Sequence, residues 1–181
     1  MITLYLDMDG VVANFDKAYK SLRTGAPDSS KRFRSSVMDY KIFEDLETMP
    51  NAMVLLRHVS MLSGVHIEML TSLGTFESVQ GAEAKRQKLL WLRKHNIPYK
   101  ANFVRSKGEK AKYATPDSIL IDDSEGCITP FEQATGQGIL YEDSKVREAL
   151  SSLDSIILQL RAIDALKSSH SNEYFLSKQK S

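Results

Sequence analysis

The chain has 181 residues, 42% hydrophobic and 26% charged, with a formal net charge of +1. That size predicts one domain with at most a small insertion. The near-neutral charge weighs against nucleic acid as a partner, because dedicated binders carry a strong basic excess. No apolar stretch approaches the roughly 18 residues of a membrane span, no charged leader precedes the first strand, and Cys127 is the only cysteine; the expectation is a soluble cytoplasmic protein.

Residues 2–6 read as a short buried strand that ends in two acids, Asp7 and Asp9, followed by Gly10. A connection from this strand to the next, at 65–70, needs one helix. The sequence instead offers a helix at 15–23, a polar basic stretch at 28–36, a short segment at 42–46 and a helix at 51–62. This surplus of roughly 25–30 residues over ordinary loop lengths predicts a small helical cap, 16–63, placed directly after the first acidic pair. The core would then comprise 1–15 and 64–167.

The second strand ends in Leu70-Thr71-Ser72. Residues 78–95 read as a helix with Leu89, Trp91 and Leu92 apolar and Lys85, Arg86, Lys88, Arg93 and Lys94 around them, stopping near Asn96 and Pro98. A strand at 101–104 leads into Arg105-Ser106-Lys107-Gly108. Lys110 and Lys112 are then expected on the solvated face of a helix starting near Gly108. A strand at 118–121 ends in Asp122-Asp123, and another lies at 138–141. Val146, Leu150, Leu153, Ile157 and Leu160 recur at spacings of three and four, predicting a long amphipathic helix over 145–167. That helix is expected to pack on the sheet, or to pair two copies in a homodimer; the Ser/Lys-rich tail, 168–181, should be flexible. Short apolar strands alternating with helices define an α/β fold, a Rossmann-like parallel sheet flanked by helices.

In such a sheet the carboxyl ends of the strands open onto one crevice. Of the first acidic pair, one acid can act as nucleophile while the other handles protons. Together with Asp122-Asp123 they suggest a divalent metal site. Two carboxylates at 4 Å repel by about 4 kcal/mol at an effective dielectric of 20, so such a cluster needs a cation. Thr71 and Ser72 suit phosphate oxygens, although alone they read as well as a helix cap. Lys107 suits the charge of phosphate and nucleophile, in competition with Lys110 and Lys112. The run Lys31-Arg32-Phe33-Arg34 reads as a solvated loop, and His58, His66, His95 and His170 show no ligand spacing.

The series Asp7-Met8-Asp9-Gly10-Val11, Leu70-Thr71-Ser72, Lys107 and Ile121-Asp122-Asp123 resembles the four motifs of the haloacid dehalogenase superfamily of phosphotransferases, over about residues 2–141. More narrowly, the stretch from Asp7 to Phe15, and the layout from Phe43 through Pro50-Asn51-Ala52, resemble the 5'(3')-deoxyribonucleotidases. Asn14 stands where that family usually has Asp, the cap is shorter, and it holds no tryptophan. The resemblance implies Asp7 as nucleophile, Asp9 as acid and base, and phosphate held by Thr71, Ser72 and Lys107. It implies Mg²⁺ held by Asp7, the Asp9 carbonyl, Asp122 and Asp123, the last two not ranked. It also implies that Phe15 stacks on a base, where a place in the core is the alternative. The expected substrate is a deoxynucleoside monophosphate; a sugar phosphate, a polynucleotide 3'-end and a non-enzymatic phospho-acceptor domain remain as alternatives.

Overall fold

The structure is a computed structural model that describes residues 1–23, 25–26 and 28–178, with side chains to residue 167. Five parallel strands form one sheet in the order β3-β2-β1-β4-β5. They are β1 (Ile2–Leu6), β2 (Val65–Ser72), β3 (Lys100–Val104), β4 (Ser118–Asp122) and β5 (Gln137–Leu140). The order reverses at β1, which pairs with β2 on one side and β4 on the other. The crevice outside that reversal is where an open α/β sheet binds its ligand. Asp7, Asp9 and the Asp122-Asp123 pair all lie there.

Among the described residues six α-helices accompany the strands: α1 (Phe15–Ser21), α2 (Ser29–Met38), α3 (Ala52–Ser60), α4 (Ser78–Lys94), α5 (Glu125–Gln133) and α6 (Val146–Lys178). Strand residues alternate between the two faces of the sheet. Leu4, Leu6, Met69, Ile119 and Ile121 join one core with Leu55 of α3, Trp91 of α4 and Leu153 of α6. Leu70 and Leu120 join a second core with Cys127, Ile128 and Phe131 of α5, against which Tyr5 and Tyr113 pack.

The segment between β1 and β2 does not form a core of its own. Val37, Ile42, Phe43 and Leu46 belong to the same apolar cluster as β1. Buried Gln87 of α4 donates to the Val37 carbonyl at 2.8 Å and accepts from the Phe43 N–H at 3.2 Å. The Trp91 indole N–H donates to the Leu46 carbonyl at 2.8 Å. Ion pairs Arg34–Glu77, Lys41–Glu83 and Arg86–Glu44 line the same seam. Helix α3, grouped with the cap by sequence, packs against α6: Leu55 and Val59 share the apolar cluster of Leu153 and Ile157, and His58 lies 2.8 Å from Asp154. It is the crossover helix of the β1-to-β2 unit.

Three elements differ from expectation. The polar stretch at 28–36 is helical: the Asp28 carboxylate accepts from the Lys31 N–H at 2.8 Å and caps α2. Residues 107–113 wind as a 3₁₀ helix rather than an α-helix. Helix α6 continues to Lys178, past the expected end at 167, because no Gly or Pro follows Val146 to stop it. The expected flexibility of the tail concerns backbone that is helical here to Lys178, and its last residues, 179–181, lie outside the described residues.

Candidate active site

A crevice of about 420 Å³ opens at the carboxyl ends of β1, β2, β3 and β4. Its floor is charged. Asp7, Asp122 and Asp123 each bring a carboxylate oxygen within 4.8 Å of the others. The ammonium of Lys110 sits among them, 2.8 Å from Asp7 Oδ1 and 2.6 Å from Asp122 Oδ2. Lys110 is wholly buried. Burial alone would lower its affinity for a proton, but the charges of Asp7 and Asp122 outweigh that and hold it above its ordinary value.

Local backbone geometry creates this cluster. Gly10 has φ +79°, and a Cβ there would fall 2.0 Å from Asp123 Oδ2, so only glycine lets the turn after β1 pass beneath the acid. Lys110 reaches inward from a 3₁₀ helix, Lys107–Tyr113. Residues three apart eclipse in that geometry, so Lys107, Lys110 and Tyr113 share one face. Lys107 is the outermost of the three, exposed and donating to Ser124 Oγ at 2.9 Å. The expectation that Lys110 lies on a solvated face is corrected: its side chain is buried between Asp7 and Asp122.

Thr71 and Ser72 part ways for a related reason. Strand β2 runs through both residues, pairing Thr71 with Phe103 and Ser72 with Val104. Thr71 thus shares the face of Met69, toward α4, and is fully buried. Its hydroxyl accepts from Lys88 Nζ at 2.8 Å and lines no part of the crevice. Ser72 does line it, accepting from the Gly74 N–H at 3.1 Å.

Lys88, placed by sequence on the polar flank of α4, is also wholly buried, and its ammonium donates to Asp9 Oδ2 at 2.6 Å. Its position was readable in principle. It stands four residues after Ala84 and three before Trp91, on the apolar stripe of the helix.

Burial raises the pKa of Asp9, opposed by Lys88 and reinforced by Asp7. Burial and the neighbouring Asp7 do the same to Asp122. Asp123 is pushed up to about 6 by burial and then by the charges of Asp7 and Asp122. Cys127, at the edge of the crevice, is pushed up to about 12 by burial and is no nucleophile at neutral pH.

These residues fit a divalent cation. Three carboxylates converge, hard oxygen donors suit Mg²⁺, and Asp7 Oδ1 is buried with no aligned hydrogen-bond donor. Asp122 gives one oxygen to Lys110 and the other to the Ser124 N–H at 3.0 Å. Asp123 stands at the exposed edge.

The roof is aromatic. Phe15, Phe33, Phe43 and Phe76 line the crevice opposite the floor. The Phe15 ring is stacked with Tyr19 at 5.2 Å and with Phe43 at 5.3 Å, and meets Phe33 edge-on. Gly74 has φ +69°, and a Cβ there would come 2.9 Å from Phe33 Cζ. The basic run 31–34 is distributed over several tasks. Arg32 donates to the Tyr19 and Leu22 carbonyls at the end of α1 and lies over the Tyr19 ring, while Arg34 pairs with Glu77.

A family model described as 5' nucleotidase, deoxy (pyrimidine), cytosolic type C protein (NT5C) matches residues 21–153. The match begins beyond Asp7 and Asp9 and includes Lys88, Lys110 and the Asp122-Asp123 pair. No curated protein matches. Among solved structures, a hydrolase from Streptococcus pneumoniae TIGR4 is 14% identical, covering 82% of this chain and 97% of that one with a TM-score of 0.48. A haloacid dehalogenase-like family hydrolase from Streptococcus pneumoniae is 12% identical over 76% of this chain and 83% of its own, TM-score 0.44. D,D-heptose 1,7-bisphosphate phosphatase from Burkholderia thailandensis is 10% identical over 75% of each chain, TM-score 0.44. On the family match, which spans well over half its length, the chain belongs to the NT5C family and is a phosphoric monoester hydrolase.

Proposed function

We propose that this chain is a Mg²⁺-dependent nucleotidase that removes phosphate from deoxynucleoside monophosphates through an aspartyl-phosphate. The observation that carries this reading is the pairing of the Lys110 clamp on Asp7 and Asp122 with a separately held Asp9, all beneath an aromatic roof. Asp7 attacks phosphorus as the ester P–O bond breaks, and Asp9 gives its proton to the departing oxygen. Water then attacks the phosphoryl group and passes a proton to Asp9. The acyl-phosphate bond breaks, phosphate leaves, and both acids return to their starting states.

Lys110 holds Asp7 in place throughout. Asp7, Asp123, Asp122 and the Asp9 carbonyl are the groups that would hold Mg²⁺, which supplies charge neutralisation at the phosphoryl oxygens. Ser72 and Lys107 border the space left for those oxygens. The segment 16–50 acts as a fixed cap, and its rings with Phe76 would take the base.

A phosphate-release screen with Mg²⁺ tests the reading. Deoxynucleoside monophosphates should exceed ribose 5-phosphate and a 3'-phosphorylated oligonucleotide in kcat/KM by about tenfold or more, the scale of one base–aromatic stack. A better rate on the sugar phosphate or the oligonucleotide would leave the phosphatase and remove the nucleotidase.

A further inference from the structure

We infer that Lys88 is a positioning residue for the hydrolysis: from inside the core it holds Oδ2 of Asp9, so that proton transfer falls to Oδ1 alone. The inference rests on Asp9 as the proton-transfer group.

Lys88 has no exposed surface, which is costly for an ammonium. A residue kept there for packing alone would be better replaced by an apolar one of similar volume. The surroundings are instead arranged around the charge. Asp9 Oδ2 lies at 2.6 Å, Thr71 Oγ1 at 2.8 Å, and the Phe43 ring centroid at 4.5 Å on a cation–π contact. These three groups come from the turn after β1, from β2 and from the segment before α3, so the ammonium is fixed from independent directions. Lys88 itself is rigidly based, because its neighbours Gln87 and Trp91 bind the Val37 and Leu46 carbonyls.

Asp9 is left with one oxygen engaged and the other unpartnered. Oδ1 is buried and lacks any hydrogen-bond partner. A buried acceptor in that condition has a purpose or a missing partner. A carboxyl that must alternate between donating a proton and accepting one needs one free oxygen and a fixed plane, and Lys88 provides the second. Thr71 completes the device by orienting Lys88, which gives that hydroxyl a role other than direct phosphate contact.

The test is a double-mutant cycle read on two substrates. Lys88→Met should lower kcat on a deoxynucleoside monophosphate by about 10- to 100-fold, within the range of general acid–base contributions, with KM close to the parent's. Single-turnover release of p-nitrophenolate, which departs without a proton, should stay near the parent's rate. In the Asp9→Asn background Lys88→Met should cost nothing further, because the group it positions is gone. That double variant also removes both charges of the pair together, so it keeps the cycle readable should Lys88→Met alone fold poorly. Thr71→Val, a near-isosteric change, should reproduce the same leaving-group dependence at smaller amplitude. Equal losses on both substrates from Lys88→Met or Thr71→Val, or a full additional loss in the Asp9→Asn background, would overturn the inference. Parent-like nucleotide hydrolysis by Asp9→Asn alone would instead sink the proton-transfer reading beneath it.

Discussion

The floor and the roof of the crevice are built on opposite principles. The floor places Asp7, Asp122 and Lys110 in contact with almost no water, and every position is dictated by a strand end or by the turn of a 3₁₀ helix. The roof is assembled from rings on α1, α2, the 42–44 turn and the loop before α4, and these rings mostly touch one another. Removing one charge from the floor strands another in a low-dielectric site, whereas removing one ring from the roof costs only its own contacts. Chemistry should therefore fail as a unit on the floor, while selectivity on the roof should be adjustable ring by ring.

The largest effect expected is at the nucleophile. Asp7→Asn should reduce turnover by about 10⁴-fold or more, the scale on which removing a covalent nucleophile acts. Lys110 retains Asp122 in that variant, so folding should survive. Substantial phosphate release by Asp7→Asn would end the covalent mechanism.

Lys110 and Lys107, both on the 3₁₀ helix, give the next contrast. Lys110→Met leaves Asp7 and Asp122 buried without their cation and should cost about 3–5 kcal/mol of stability along with activity. Lys107→Met removes an exposed partner of Ser124 and should cost about 0–1 kcal/mol. Urea unfolding of both variants decides this, and equal losses would contradict the buried clamp.

How much of this was legible in the sequence follows the same division. All five strands begin and end close to their expected positions, because short apolar runs punctuated by acids, hydroxyls or glycine leave little freedom. The acids of the floor were legible because each lies within a few residues of such a strand end. The lysines were not, because their orientation depends on helix phase. Lys110 follows Lys107 by one turn in either helical geometry, and nothing in Lys-Gly-Glu-Lys says which of the two stacked lysines is the buried one. Lys88 was obscured by its company, one cation among five on the same helix, although its place in the Ala84–Trp91 stripe marked it. Helix α2 was missed because its first turn, Ser-Ser-Lys-Arg, has loop composition, and only the Asp28 cap declares its start. The roof was least legible, since its rings converge from segments far apart in sequence.

The roof is tested by comparing two of its rings. Phe33 rests against Gly74 and lines the crevice, so Phe33→Ala should lower kcat/KM on deoxynucleoside monophosphates by about 5- to 150-fold if it meets the base. Hydrolysis of p-nitrophenyl phosphate should barely change. Phe15 is stacked with Tyr19 and Phe43 as well as lining the crevice. Phe15→Ala should therefore also lower the melting temperature, by the loss of packing that accompanies removal of a large ring. Equal damage to both substrates by Phe33→Ala would make the roof structural rather than selective.

The smallest effect, and the most diagnostic of the floor's electrostatics, is the pH dependence of the metal-free protein. Asp123 is raised from 3.8 to about 6, and Asp9 and Asp122 are raised as well. A carboxyl raised on folding keeps its proton where the unfolded chain has released it, so stability falls as pH rises from about 4 through about 6. Glu68, Glu83 and Glu109 are lowered, so their contributions grow as pH rises through the ordinary carboxylate range and are complete above it, alike in parent and variant. His95, lowered by burial, acts in the opposite sense below pH 6.5. The informative quantity is thus the difference between the parent and Asp123→Asn, which removes the His95 contribution common to both. Without Mg²⁺ the parent should lose melting temperature relative to Asp123→Asn between pH 5 and pH 7.5, by an amount tempered by the exposure of Asp123 at the cluster's edge. Mg²⁺ competes with those protons, so its stabilising shift should grow over the same interval in the parent and be smaller, with a weaker rise, in the variant. A metal-free difference that stays flat with pH, or a Mg²⁺ shift of equal size at both ends, would mean that Asp123 neither holds its proton against Asp7 nor yields it to the ion.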